Sequence, residues 1–249
     1  MSIKELINKA LFYLSVPKCV SCKKRLNITD NVFCPECSLE FRENIFRNCS
    51  RCARPLAECT CTNEYLRRHR IKSVIKVYRY IRRPDREPQN KLIYSLKQDG
   101  RHDVVNFSAD LLSRSVKFAV PNASECVITS IPRRRSAILR FGYDHAKLLA
   151  EAVAKRVGAE YIPMLKSLSK RAQKSLHRDL RMENVKFVGK RNVDIKGRCV
   201  ILVDDVITTG ASMGAAADII SRMKPKSIIA ATLSIAYNDE FIPPVPTDY

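Results

Sequence analysis

From about residue 73 to residue 235, short apolar runs of strand length alternate with segments of helical period. The apolar pattern predicts strands over 73–80, 126–131, 161–165, 187–188, 200–203 and 227–235. It predicts helices over 88–100, 103–117, 144–157 and 211–223. Pro88 suits the first turn of a helix, and Leu148, Leu149, Ala152 and Val153 share one face of the third helix. Strand–helix alternation of this kind predicts an α/β fold: a parallel sheet with helices on both faces. Such sheets bind ligands at the carboxyl ends of their strands. The chain has only seven glycines, so Gly100, Gly142 and Gly210 at element boundaries carry weight.

The ends of the chain read differently. In MSIKELINKALFYLS, Ile3, Leu6, Ile7, Ala10, Leu11 and Leu14 follow helical spacing and lysines interrupt them, which predicts an amphipathic helix rather than an export signal. Residues 171–184 are basic and glycine-free with no strong period; they read as a mobile segment, with a helical piece over 176–182 as the alternative. The proline-rich tail FIPPVPTDY continues neither element type.

Eight of the ten cysteines fall between Cys19 and Cys61. They run Cys19-x-x-Cys22, Cys34-x-x-Cys37, Cys49-x-x-Cys52 and Cys59-x-Cys61. With no export signal the chain is expected in the reducing cytoplasm, where metal ligation outranks disulfides. Two Cys-x-x-Cys turns complete one closed tetrahedral site, so two structural zinc ions are expected, the second set departing from the usual spacing at Cys59-Thr60-Cys61. Closed four-sulfur sites leave no coordination position for catalysis. The metals would replace the core that so short a segment lacks. Four thiolates on one dication leave a charge of about −2. Lys18, Lys23, Lys24, Arg25, Arg51 and Arg54 either balance that charge or contact nucleic acid. Cys126 and Cys199 open apolar runs and read as packing residues. The expected division is a module over 1–66, holding the N-terminal helix and the cysteines, and an α/β domain over 67–249.

The stretch VILVDDVITTG, Val200 to Gly210, runs an apolar strand into adjacent carboxylates, two threonines and a glycine before a helix. The unpaired first amides of such a helix, with hydroxyls from Thr208, Thr209 and Ser212, make an anion seat. Asp204 and Asp205 beside it suit the hydroxyls of a sugar, so the stretch predicts a sugar-phosphate site. The net charge of +20 points to polyanionic partners. No apolar run approaches the roughly 20 residues that a bilayer span needs.

VILVDDVITTGAS resembles the phosphoribosyl pyrophosphate loop of type I phosphoribosyltransferases. Together with the cysteine module, Leu96-Lys97-Gln98-Asp99-Gly100, Phe141-Gly142-Tyr143-Asp144-His145 and the set Arg171, Gln173, Arg178, Arg181 and Asn184, it resembles the ComF (competence protein F) family along nearly its whole length. The family's Pro-Val-Pro stands here as Ser130-Ile131-Pro132, and its arginine before Gly142 stands one place earlier, as Arg140.

The resemblance implies a type I phosphoribosyltransferase fold behind a double zinc ribbon. It implies phosphoribosyl pyrophosphate with magnesium as ligand, Asp204 and Asp205 on the ribose, and Thr208, Thr209, Gly210, Ala211 and Ser212 on the 5′-phosphate. Ile131, Pro132, Arg133, Arg134 and Arg135 would face the pyrophosphate, and Arg171 to Asn184 would close as a flexible loop. It also implies a link to DNA uptake in natural transformation, and hence single-stranded DNA and uptake-machinery proteins as partners. No general base stands out; His145 and His177 read as structural or solvated. Three roles stay open: a transferase with an unknown acceptor, a single-stranded-DNA-binding factor, and a sensor of phosphoribosyl pyrophosphate. Tyr78, Tyr80 and Tyr94 are the candidate base-stacking residues, and equally core or edge residues.

Overall fold

A computed structural model describes residues 17–80, 87–168, 187–191 and 193–236. The readings for the N-terminal helix, for the basic segment with Arg171, Gln173, His177, Arg178, Arg181 and Asn184, and for the tail lie outside these residues.

Two cysteine knuckles come first. Lys18 bridges Arg25 around the first and Asn48 bridges Pro55 around the second. The second repeats the first's hydrogen bonds: Cys19 N to Lys24 O and Cys49 N to Arg54 O, each 2.8 Å, then Lys23 N to Cys19 O and Ala53 N to Cys49 O. Lys23 and Ala53, each just after a Cys-x-x-Cys, have φ of 65° and 56°. Helix α1 (Pro35–Ile45) follows the first knuckle, and α2 (Glu64–Arg68), capped by Asn63, follows the second and runs across the expected module boundary.

The remaining α-helices and strands among the described residues are β1 (Ile71–Arg79), α3 (Pro88–Gln98), α4 (His102–Ala119), β2 (Val127–Ser130), α5 (Arg135–Phe141), α6 (His145–Val157), β3 (Glu160–Tyr161), β4 (Leu165–Ser167), β5 (Phe187–Gly189), β6 (Cys199–Ile207), α7 (Ala211–Ser221) and β7 (Ser227–Ile235). Five strands form one parallel sheet in the order β1-β7-β6-β2-β3. The chain leaves β2 toward β3 at one edge and leaves β6 toward β7 and the other edge. The boundary between β2 and β6 is therefore the topological switch point, where parallel sheets open a crevice.

Each face of the sheet has its own core. Ile75, Val77, Ile201, Val203, Ala231 and Leu233 face α3, α4, α6 and the first knuckle. Val200, Leu202, Ile228, Ala230 and Ile235 face α7 and the second knuckle. The first knuckle is stapled down by aromatic contacts, Phe33 to Phe107 at 5.8 Å and Phe41 to Tyr78 at 5.6 Å.

Three sequence expectations change. The strand expected over 161–165 is split: β3 ends at Tyr161 and β4 pairs antiparallel with β5, because Pro163 between them lacks a ladder donor. The strand expected to stop at residue 203 runs to Ile207, since β7 keeps pairing with it at Asp204↔Thr232 and Val206↔Ser234. Helix α5 was not legible, because it buries none of its residues and so carries no apolar face to read. Tyr78 is fully buried and takes the core reading, while Tyr80 Oη bonds Tyr94 Oη at 2.8 Å on an exposed edge. No helix among the described residues is long and apolar enough to cross a membrane.

Candidate functional site

The crevice at the switch point is formed by the segment after β2 and the loop between β6 and α7. Gly210, with φ of 84°, caps α7 in the left-handed region, and no side chain caps that helix. The Ala211 amide meets only Thr209 Oγ1, at 3.3 Å. Among the described residues, no loop or turn hydrogen bond engages the amides of Thr208, Thr209, Gly210, Ser212 or Met213. These donors face a cavity of about 140 Å³ lined by Asp204, Val206 and residues 207–213. A second cavity of about 130 Å³ is lined by Ile131, Pro132, Arg134, Ser167, Leu168, Phe187 and Ser212. Ser212 lines both, so the predicted phosphate and pyrophosphate sides adjoin as two lobes of one cleft.

The two carboxylates do not face that cleft together. Successive side chains on a strand point to opposite faces, and β6 continues through both. Asp204 lines the cavity, its Oδ1 accepting from Asp205 N at 2.9 Å. Asp205, 3% exposed, does not line that cavity but is sunk into the interior beside it, one of its oxygens within 4.8 Å of an Asp204 oxygen and a His145 nitrogen. There Lys97 Nζ lies 2.8 Å from its Oδ2, and His145 Nε2 lies 3.5 Å from its Oδ1.

This division resolves the repulsion between adjacent acids. Burial alone would raise the Asp205 pKa, but the His145 hydrogen bond and the Lys97 ammonium outweigh it and hold that carboxyl well below the usual range. Burial and the neighbouring Asp205 charge push Asp204 upward. Burial works against the Lys97 charge, but Asp205 overcomes it and raises the lysine's pKa.

Asp205 ties three sequence motifs into one frame. Lys97 belongs to Leu96-Lys97-Gln98-Asp99-Gly100, and His145 ends Phe141-Gly142-Tyr143-Asp144-His145. Tyr143 joins the same two motifs: its Oη accepts from Gly100 N at 2.7 Å and donates to Leu96 O at 3.1 Å. Gly100 has φ of 61°, and a Cβ there would meet Tyr143 Cε1 at 2.9 Å. Lys97 was missed as a site residue in the sequence, and so was the role of His145 as the partner of Asp205.

The three arginines part company. Arg134 lines the second lobe. Arg133 is folded back: its guanidinium lies over the Phe141 ring at 4.4 Å, and its amide donates to Asp144 Oδ2 at 2.9 Å. Arg135 begins α5 and does not line the cleft. Arg140 lies over the Phe141 ring at 5.1 Å.

The cysteines assemble as two sets, Cys19, Cys22, Cys34 and Cys37, and Cys49, Cys52, Cys59 and Cys61, each with its sulfurs within 4.8 Å of one another. Cys22 and Cys34 sulfurs lie 3.6 Å apart, as do those of Cys52 and Cys59. A tetrahedral ion with metal–sulfur bonds of about 2.3 Å sets its sulfurs about 3.8 Å apart, so both sets fit such an ion. Burial opposes the Cys19 and Cys49 thiolates, yet backbone amides aimed at the sulfurs bring these thiols down to about 7 and about 6. Lys76, 2% exposed in β1, donates to Cys61 O at 2.8 Å beside the second set. Cys126 is buried, and burial with Cys199 beside it pushes its thiol up to about 12.

A parallel sheet whose switch point holds an open helix start, a carboxylate and a facing Pro-Arg turn is the architecture of a phosphoribosyltransferase-type domain. The phosphoribosyl transferase domain family matches residues 145–240. The chain is 24% identical over 216 residues to DNA utilization protein YhgH of Escherichia coli K12, covering 82% of this chain and 84% of that one. It is 25% identical over 228 residues to Competence protein F of Haemophilus influenzae, covering 85% and 93%. Among solved structures it aligns with a glutamine phosphoribosylpyrophosphate amidotransferase from B. subtilis at 18% identity and a TM-score of 0.41, over 55% of this chain and 30% of that one. The chain is a ComF-like protein: a phosphoribosyltransferase-type domain joined to paired cysteine knuckles.

Proposed function

We propose that the cleft binds phosphoribosyl pyrophosphate with magnesium and transfers the phosphoribosyl group to an acceptor. The observation that carries this is the α7 start: the amides of Thr208, Thr209, Gly210 and Ser212, with no backbone partner among the described residues, and the hydroxyls of Thr208 and Ser212 share a cavity with Asp204. The 5′-phosphate sits on those donors, favoured by the helix dipole. Asp204 accepts from the ribose hydroxyls, and Asp205 supports it from behind by holding Lys97 and His145. The diphosphate extends past Ser212 toward Ile131, Pro132 and Arg134.

His145, Asp204 and Asp205 bring three metal-binding atoms together. Asp205 and His145 are already engaged with each other and with Lys97, so this set fits an ion arriving with the diphosphate, with Asp204 as its protein-side carboxylate. Magnesium there would neutralise charge on the departing pyrophosphate. The protein's own part is positioning: the loop fixes the pentose, and the Arg134 side receives the leaving group. Each cysteine set holds one structural zinc ion.

The names of the two relatives speak of DNA utilization and competence. We carry over to this chain a role in handling incoming single-stranded DNA, with uptake-machinery proteins as partners and the basic surface supplying phosphate contacts. Calorimetric titration with phosphoribosyl pyrophosphate, with and without magnesium, tests the ligand. Magnesium-dependent binding that ribose 5-phosphate weakens by competition is expected; no heat at millimolar ligand overturns it.

A further inference from the structure

We propose that α2, the helix leaving the second cysteine knuckle, is a positioning element for the anion loop, with Tyr65, Leu66 and His69 holding the start of α7 in its binding shape. The proposal rests on the ligand reading above for its consequence, but its geometry stands apart from it.

Gly210 and Gly214 lie one turn apart on one side of the α7 start, and both face this segment. A Cβ on Gly210 would meet Leu66 Cδ2 at 3.0 Å and Tyr65 Cδ1 at 3.4 Å. A Cβ on Gly214 would meet His69 Cδ2 at 2.8 Å and Tyr65 Cε1 at 3.1 Å. Leu66 is fully buried, and its amide is held by the Asn63 cap at 2.8 Å. One turn further along α7, His69 Nδ1 lies 2.7 Å from Asp218 Oδ2, and the Tyr65 and His69 rings meet at a 54° tilt with their centroids 4.5 Å apart. Residues from 65 to 69 thus clasp α7 at Gly210, Gly214 and Asp218, although well over a hundred residues of chain separate the two segments.

The clasp matters because the loop binds through backbone amides. A loop with Gly210 at φ of 84° has no side chain to fix that conformation, and an unordered loop must lose its freedom at the moment of binding. Packing Leu66 and Tyr65 against Gly210 removes that loss beforehand. The segment leaving the second cysteine knuckle is thereby the back wall of the anion loop.

Leu66→Ala opens a void behind Gly210 without touching a ligand-facing group. Hydrogen exchange in the ligand-free protein should speed up at the first hydrogen-bonded amides of α7, residues 214–218, while α4 and α6, on the opposite face of the sheet, keep wild-type protection. Affinity for phosphoribosyl pyrophosphate with magnesium should fall about tenfold or more, the scale of lost preorganisation, and Leu66→Met should restore both readouts. Gly214→Ala, which drives His69 away, should repeat the exchange effect. Wild-type exchange at 214–218 in Leu66→Ala, or acceleration spread equally over α4 and α6, overturns the proposal. Should the wild type fail to bind the ligand, the exchange readout still decides the clasp, and only the ligand reading falls.

Discussion

Lys97 Nζ lies 2.8 Å from Asp205 Oδ2, joining α3 to the floor of the crevice. Asp205 is buried, Lys97 keeps 36% of its side chain exposed, and His145 is the carboxylate's other partner. Removing one side of such a pair leaves an uncompensated charge. Lys97→Met should therefore destabilise the protein by about 1–3 kcal/mol, the usual cost of leaving a buried acceptor without its partner. Chemical denaturation checks this.

Asp204 behaves in the opposite sense. Its pKa is raised in the folded protein by burial and by Asp205. An acid that holds its proton more tightly when folded weakens the fold as pH rises, so this penalty is present above the raised pKa and relieved as pH falls toward the unfolded value. Asp204→Asn keeps the acceptor for the Asp205 amide and removes the charge. The ligand-free variant should be more stable than wild type at neutral pH by about 1 kcal/mol, with the difference shrinking in acid. Thermal melts across pH 4–8 test the sign.

Lys76 is a buried cation beside the second thiolate set, and none of the ion pairs among the described residues includes it. Four thiolates on a dication carry about −2, which makes the cluster its counter-charge. Lys76→Met should keep the first metal and release the second to a competing chelator about tenfold faster or more, since a buried charged partner is worth at least one factor of ten. Equal release rates from wild type and Lys76→Met would show that Lys76 plays no part in holding the ion.

Tyr143 Oη bridges Gly100 N and Leu96 O. Tyr143→Phe should cost about 1–2 kcal/mol, because the Gly100 amide loses its partner. Asp99→Ala in the same turn, which removes the Ser95 Oγ contact instead, should leave the Tyr143 bonds intact. A double-mutant cycle between the two reads any coupling.

Much of this arrangement was readable from residues alone. Apolar runs located the sheet, and the 227–235 strand was placed at its observed bounds because its neighbours shield it on both faces. The cysteine spacings foretold both sulfur clusters. The division of Asp204 and Asp205 was in principle legible too, since a strand alternates its faces, but only if the strand is known to continue past Val203. That continuation is set by pairing with β7, a contact between chain segments that local sequence does not encode. Lys97 escaped notice for the same reason: nothing near it in the chain announces the aspartate more than a hundred residues away. Helix α5 and the folding-back of Arg133 onto Phe141 likewise depend on tertiary neighbours.

The most direct test compares Asp204→Asn with Asp205→Asn in calorimetric titration with phosphoribosyl pyrophosphate and magnesium, each variant's melting temperature being measured alongside. The account predicts that Asp204→Asn stays folded with a melting temperature at or above wild type yet loses at least about tenfold in affinity, the worth of one charge-assisted hydrogen bond. It predicts that Asp205→Asn lowers the melting temperature. Wild-type affinity in Asp204→Asn would contradict it.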